Sequence, residues 1–184
     1  MPEGNGYTWT VASRISHALA EAEARFGPRD PSYFLAGWEF VRSYPRIWYP
    51  GDRKHVVIQL GLEARGDVPR LVFQLSHEVV HLLSPTGRRV ANNLEEGLAT
   101  LFAEDYTLEH LGVPVLTNLA SYARARDAVR RLLARDPTCI RRLREGEPCL
   151  SHLEREFLRD YIPDLSGEDA AYLLARFERG GSAV

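Results

Sequence analysis

Cysteine is scarce in this chain. Only Cys139 and Cys149 occur among its 184 residues, which is too few for the disulfide framework that holds small secreted domains together. We therefore expect two reduced thiols in a cytoplasmic protein, with a local bridge between the two cysteines as the alternative. Zinc binding by this pair is not expected, because no further ligands lie nearby in the sequence.

Long apolar runs are also absent. No stretch approaches the roughly 20 apolar residues that span a bilayer, and the charged segment at residues 11–27 does not resemble a secretory signal. The net charge of −2 gives no overall attraction to nucleic acid or to a membrane surface. These absences favour a cytoplasmic protein that does not bind membranes.

The patterns that are present predict an α+β fold in a single domain, residues 1–184. A hydrophobic content of 45% is enough for one compact core. Aromatic and β-branched segments predict a small N-terminal twisted sheet with strands at 33–42, 45–49 and 54–61. Apolar periodicity and Pro or Gly boundaries predict a mostly helical remainder, with helices at 11–26, 67–83, 93–110, 116–135, 138–145, 149–161 and 167–179.

The segment QLSHEVVHLLSP, residues 74–85, places three ionisable side chains in an apolar helix. His77 and His81 are four residues apart and share one helix face, so both imidazoles can bind one metal ion, for which zinc is the usual choice. Glu78 is turned about 100° from His77, where its carboxylate can accept a proton from a water on the metal. This is the His-Glu-x-x-His pattern of zinc hydrolases.

An ordinary helix with two hydrogen-bonded histidines and a surface glutamate is the alternative interpretation. The neighbouring Val79, Val80, Leu82 and Leu83 indicate that the histidines face the interior. Burial there without a metal ion or a hydrogen-bond partner is costly. The apolar surroundings therefore favour a metal site.

A catalytic zinc site needs a third protein ligand and one open position. The chain continues with NNLEEGLATLFAEDY at residues 92–106, and here it resembles the gluzincin metallopeptidases. In that family the third ligand is a glutamate on the following helix, often directly before Gly-x-Ala, and Glu96-Gly97-Leu98-Ala99 matches this pattern. The resemblance implies a zincin-like fold in which an active-site helix packs against a glutamate helix. It implies Glu96 as the third zinc ligand, with Glu95 as the second choice, and a close approach of these two helices at Gly97.

The resemblance covers residues 55–106 and has limits. Thermolysin-like enzymes carry an aspartate where this chain has Thr100, so the residue that orients a metal-bound histidine stays open among Asn92, Asn93 and Asp105. The Gly-x-Met-x-Asn segment by which related aminopeptidases hold a free N-terminus is absent, which favours an endopeptidase. The family's edge strand pairs with extended substrate, and residues 54–61 are expected in that role, with an ordinary sheet strand as the alternative.

These features together predict zinc-dependent hydrolysis of peptide bonds in a peptide or protein substrate. Glu78 is expected to act as general base, and Tyr122 or Tyr106 as the donor to the oxyanion. Tyr122 is preferred because it lies on a separate helix that can cross the cleft. His110 shares the face of Glu96 but lies about 21 Å further along the helix axis, too far to take part.

The remaining histidines and arginines give weaker signals. His17, His55 and His152 have no partners at ligand spacing, so we expect them at the surface or in the core. Eight arginines lie between residues 121 and 144, and this arginine cluster at 124–144 offers the alternative of nucleic-acid binding. Because the arginines spread around their helices, a solvated face is favoured instead. The other alternative is a catalytically silent metallopeptidase-like protein, although Glu78 has no task in metal binding alone.

Overall fold

A computed structural model describes residues 2–3, 6–52, 54–85, 87 and 91–180. Within these residues the predicted α+β organisation is confirmed, and most of the chain is helical. The helices are α1 (Val11–Phe26), α2 (Val68–His81), α3 (Asn93–Leu111), α4 (Ala120–Arg135), α5 (Cys139–Gly146), α6 (Arg155–Tyr161) and α7 (Gly167–Leu174). The strands are β1 (Pro2–Glu3), β2 (Gly6–Tyr7), β3 (Phe34–Val41), β4 (Arg46–Trp48) and β5 (His55–Gly61).

Local signals in the sequence set the limits of the two helices that matter most. The Asp67 side chain caps α2 by accepting a hydrogen bond from the Arg70 amide, and Asn92 caps α3 in the same way through the Glu95 amide. Gly112 ends α3 with a left-handed backbone at φ 67°, a conformation that glycine adopts without strain. Both helices therefore begin and end close to their predicted positions.

Three predicted helices are shorter than expected. The predicted helix 116–135 begins only at Ala120, and in the other two, tertiary hydrogen bonds replace helical ones. The predicted helix 149–161 is a 3-10 turn, Leu150–His152, followed by α6, and the Leu150 carbonyl accepts from Asn92 Nδ2 instead. Helix α7 ends at Leu174 because the Ala175 carbonyl accepts from the Asn93 amide at 3.0 Å. The chain after α7 then runs beside residues 91–92.

The main sheet has the order β3-β5-β4, in which β3 is parallel and β4 antiparallel to β5. Residues 54–61 therefore form the central strand, and the expectation that they are a substrate-binding edge is wrong. The physical reason is backbone pairing, since β5 already hydrogen-bonds to β3 on one side and to β4 on the other and has no open edge for a substrate strand. Within the described residues, β4 is the edge on the side of α2.

Helix α2 packs against α1, α3 and the sheet, and α3 packs in turn against α4. Gly97 approaches α4 rather than α2, which corrects the expectation from the resemblance: a Cβ on Gly97 would lie 2.4 Å from the Ala125 carbonyl oxygen. Cys139 and Cys149 are both buried and unpaired, as predicted. None of the described helices combines the length and apolar character needed to cross a membrane.

Candidate metal centre

Helices α2 and α3 bring the three predicted ligands together. Ligand atoms of His77, His81 and Glu96 all lie within 4.8 Å of one another. The Nε2 atoms of the two histidines are 3.4 Å apart. Glu96 Oε2 is 3.3 Å from His77 Nε2, and Glu96 Oε1 is 3.8 Å from His81 Nε2. We call these three residues the His77 centre.

The His77 centre passes a chemical test for a bound cation. Glu96 Oε2 is buried and has no hydrogen-bond partner among the described residues, and a carboxylate oxygen left in that state is costly. Two imidazole nitrogens and one carboxylate oxygen are a donor set of the kind that zinc takes in catalytic sites. A cation shared by these atoms accounts for the facing nitrogens and the unpartnered oxygen at once.

Glu95 positions His81 and is not a substitute ligand. Its Oε1 atom lies 2.7 Å from His81 Nδ1, and its Oε2 atom accepts a hydrogen bond from the Ser151 hydroxyl. A hydrogen bond at Nδ1 fixes the ring and leaves Nε2 free for a metal.

Sequence reasoning missed this role for Glu95. The three expected candidates make other contacts or lie too far away. Asn92 caps α3, and Asn93 donates a hydrogen bond to the Tyr172 carbonyl. Asp105 lies nine residues beyond Glu96 on α3, about 13 Å along the helix axis. In the sequence, the adjacent glutamates Glu95 and Glu96 were the feature that could have indicated this role.

The site concentrates negative charge in a buried place. Glu78 and Glu95 are only 4% and 6% exposed. Burial raises the pKa of Glu78, against the effect of His81 and His77. Burial acts in the same direction on Glu96, but His81 and His77 outweigh it and lower its pKa. For His81, burial lowers the pKa, yet the carboxylates of Glu96, Glu95 and Glu78 raise it to about 10. The carboxylates around His81 therefore favour a positive charge on its imidazole.

Tyr122 lies beside the His77 centre. Its ring centroid is 5.9 Å from that of His77, and its hydroxyl accepts a hydrogen bond from Arg179 Nε at 3.2 Å. Burial and the nearby Glu96 raise the pKa of Tyr122 to about 12. The phenol therefore keeps its proton, and Arg179 occupies one acceptor position of the oxygen.

Arg179 was not predicted, because its place depends on how the chain after α7 folds back. The Phe177 amide donates to the Ala91 carbonyl at 2.9 Å, and the Gly180 amide donates to Ser121 Oγ at 3.2 Å. The Phe177 ring packs on Tyr122, with centroids 4.6 Å apart. Together these contacts hold residues 175–180 along the cleft.

Tyr106 is not in the cleft, which corrects its assignment as an oxyanion donor. It is fully buried and its hydroxyl lies 2.8 Å from His17 Nδ1. Ten residues separate Tyr106 from Glu96 on α3, a distance of about 15 Å along the helix axis. Tyr122 is the remaining candidate of the two.

A cleft of about 920 Å³ lies over the His77 centre. One wall is α2, and the cleft follows it from Arg70 to His81, about 16 Å at 1.5 Å per residue. The other walls are β4 with the residues before it, the segment 115–119 and the chain after α7. The lining residues from α2 are Arg70, Phe73, Gln74, His77, Glu78 and His81.

The arginine cluster at 124–144 is largely engaged within the chain. Arg126 and Arg130 both pair with the buried Glu104 on α3. The buried Arg144 donates to five backbone carbonyls, those of Phe26, Gly27, Pro28, Leu83 and Pro148. Arg124, Arg141 and Arg142 also have partners: the Tyr172 ring, the Ala24 carbonyl and Asp136. These contacts join helices, which leaves little support for a nucleic-acid surface.

Two of the three unassigned histidines do have partners. His55 pairs with Asp52 at 2.9 Å, and His17 meets Glu21 and His110 in a cluster with ligand spacing. The expectation that His17 stands alone is therefore wrong. It failed because His110 comes from a different helix, 93 residues later in the chain.

Comparison with protein-family models, curated proteins and solved structures found no match to this chain. The resemblance to gluzincins therefore rests on the motif and on the geometry of the site.

Proposed function

We propose that this chain is a zinc-dependent endopeptidase of gluzincin type, with α2 and α3 as the active-site and glutamate helices of a zincin-like fold. One observation carries the proposal: His77, His81 and Glu96 converge within 4.8 Å on the wall of a large cleft, with the buried Glu78 beside them. The two buried, unpaired thiols support a cytoplasmic location as part of the same proposal.

The His77 centre holds the metal, and Glu78 moves the proton. When bound by these three residues, zinc would supply Lewis acidity to polarise the scissile carbonyl and would lower the pKa of a bound water toward 7. Glu78 lies next to His77 in sequence and lines the same cleft. Its carboxylate accepts the proton of the attacking water and delivers it to the leaving amine. Metal binding alone gives no reason to bury this carboxylate, which argues against a catalytically silent protein.

Tyr122 donates to the oxyanion that develops on the substrate carbonyl. Its phenol keeps its proton, since the pKa is raised to about 12 by burial and by Glu96. Arg179 donates to the same oxygen, which makes the phenol proton a stronger donor. The donor is held in place before the substrate arrives, as electrostatic stabilisation requires.

An extended peptide fits the cleft. The 16 Å that the cleft follows along α2 corresponds to about five residues of extended chain, and His77 lies within this length rather than at one end. The edge strand β4 borders the cleft with Arg46 and Ile47. Backbone pairing of substrate with β4 replaces the role first expected of residues 54–61.

The test separates metal binding from chemistry. We expect His77→Ala and Glu96→Ala to lose zinc from the His77 centre, measured by competition with a chromophoric chelator. Glu78→Gln should keep this zinc and lose hydrolysis of an unfolded protein substrate by about 10²–10⁴-fold in kcat. Tyr122→Phe should keep zinc and lose about 10²–10³-fold in kcat, whereas Tyr106→Phe should leave kcat nearly unchanged.

Two results contradict the proposal. If Glu78→Gln hydrolyses the substrate at the rate of the unmodified chain, Glu78 is not the general base. If Glu96→Ala retains zinc at this centre, Glu96 is not the third ligand. The resemblance to gluzincins then loses its support. Far-UV circular dichroism of each variant confirms that the fold is intact.

A further inference from the structure

A second group of ligand side chains lies away from the cleft. Helix α1 contributes His17 and Glu21, which are four residues apart, and the last turn of α3 contributes His110. One ligand atom from each of the three lies within 4.8 Å of the others. We call these residues the His17 cluster. None of them lines the cleft over the His77 centre.

Distances within the His17 cluster resemble those of the His77 centre. Glu21 Oε1 is 2.7 Å from His110 Nε2 and 3.6 Å from His17 Nε2, and the two imidazole centroids are 4.9 Å apart. His110 Nε2 is buried, and its short approach to Glu21 is not aligned as a hydrogen bond, so this nitrogen has no hydrogen-bond partner among the described residues. At the His77 centre, Glu96 Oε2 is likewise buried without a hydrogen-bond partner among the described residues.

Neighbouring side chains hold the cluster with its ligand atoms turned inward. Tyr106 Oη lies 2.8 Å from His17 Nδ1. With Nδ1 donating to this oxygen, the Nε2 lone pair is free on the side of Glu21. The Tyr106 ring also packs on His110, with centroids 4.3 Å apart. Arg25 pairs with Glu21 Oε2 at 3.1 Å, which leaves Oε1 toward the imidazoles.

We propose that His17 Nε2, Glu21 Oε1 and His110 Nε2 bind a second divalent transition-metal ion, with zinc favoured by the two nitrogens and one oxygen. The side chain of His17 is 51% exposed, so an ion can reach the cluster from solvent. Ala18 follows His17, where Glu78 follows His77. Glu109, the carboxylate next to His110, is paired with Arg25 at 2.6 Å. Without a free general base, the second ion fastens α1 to the end of α3 and does not hydrolyse peptides. The inference does not depend on the proposed function.

The experiment removes the first centre and asks whether a site remains. The probe is Zn²⁺ alone, titrated into metal-free protein against a chromophoric chelator. We expect two equivalents for the unmodified chain and one for the His77→Ala/His81→Ala chain. Adding His17→Ala or His110→Gln to that chain should remove the last equivalent. Adding His152→Ala, an exposed histidine outside both groups, should leave it bound.

Each outcome decides one of the two proposals. A folded His77→Ala/His81→Ala chain that takes up no zinc overturns the second site and leaves the first intact. A single equivalent in both the unmodified chain and the His77→Ala/His81→Ala chain, lost with His17→Ala, supports the second site and contradicts the first. If the double variant does not fold, His17→Ala and His110→Gln are made in the unmodified chain, where two equivalents must fall to one. Two equivalents in both of these variants overturn the proposal.

Discussion

Two neighbouring carboxylates, Glu95 and Glu96, have different tasks because a helix turns them about 100° apart. Glu96 faces the imidazole nitrogens, while Glu95 faces His81 Nδ1 and the Ser151 hydroxyl. The orienting contact thus comes from the residue next to the ligand.

If Glu95 orients His81, removing the charge of Glu95 should lower the zinc affinity of the His77 centre without abolishing zinc binding. A glutamine at this position keeps an acceptor for His81 Nδ1 but removes the charge that makes the imidazole more basic. We expect Glu95→Gln to weaken zinc binding at the His77 centre by about 10–100-fold. Chelator competition in a His17→Ala background reports this centre alone, and Ser151→Ala should have a smaller effect. An unchanged affinity in Glu95→Gln would contradict the role.

Arg144 illustrates a buried charge that serves the fold. It is 6% exposed, and burial lowers the pKa of its guanidinium. Its donors satisfy carbonyls at the end of α1 and the end of α2. The hydrogen bonds to the Phe26, Gly27 and Leu83 carbonyls are buried, so these acceptors lose their donor if the guanidinium is removed.

We therefore expect Arg144→Met to lower the free energy of unfolding by about 2–4 kcal/mol, since buried acceptors are left unpaired. Urea denaturation followed by circular dichroism measures the loss. Arg142→Met is the matched control on the same helix, and its exposed pair with Asp136 should contribute little, because solvent screens it. Equal losses in both variants would show that the buried carbonyl contacts do not matter.

At the scale of elements, α2 and α3 were predictable because their signals are local. Asp67 and Asn92 cap them, and the spacing of His77 and His81 fixes a shared face within one helix. Glu96 was predicted from the Glu-Gly-x-Ala motif on the next helix. Residues that meet across the fold were not predictable in this way: Arg179 reaches Tyr122 over 57 positions, and His17 reaches Tyr106 over 89 positions.

The predicted strand order of the sheet was wrong for a related reason. Sequence segments 33–42, 45–49 and 54–61 predicted three strands, and the structure has all three. Their order depends on which strands pair, and both β3 and β4 pair with β5, which no single segment determines. Strand order therefore could not be taken from the segments themselves, and the edge was assigned to the wrong one.

The contact of α3 with α4 gives a prediction about Gly97. An added Cβ would lie 2.4 Å from the Ala125 carbonyl oxygen and 2.8 Å from Val129 Cγ2, so the two helices must separate. Gly97→Ala should lower the free energy of unfolding by about 1–3 kcal/mol and reduce kcat, because α4 carries Tyr122.

The control for this prediction is Gly167→Ala in α7. That glycine has open space around its Cβ position, and the substitution should be neutral or stabilise by up to about 1 kcal/mol. Thermal unfolding of the two variants side by side separates helix propensity from the clash. A Gly97→Ala chain as stable as Gly167→Ala would contradict the close packing of α3 on α4.

At the scale of the whole molecule, both proposed metal sites use α3. The His77 centre joins α3 to α2 near its first turn, and the His17 cluster joins α3 to α1 in its last turn. The helices α1 and α2 also pack directly on one another. Two ions would therefore close a cross-linked unit of three helices around one apolar core, while the sheet lies outside this unit.

Metal removal should consequently destabilise the folded chain as a whole. An ion that binds only the native state, present at 100 times its dissociation constant, contributes about 2.7 kcal/mol, or a rise of about 5–10 °C in Tm for a chain of this size. We expect a chelator to lower Tm by at least that amount and added zinc to restore it. Glu78→Gln should respond like the unmodified chain, because Glu78 is not a ligand. His77→Ala/His81→Ala should respond less, and the same chain with His17→Ala should not respond at all. A chelator effect that persists in this triple variant would place a stabilising ion somewhere other than at the two sites on α3.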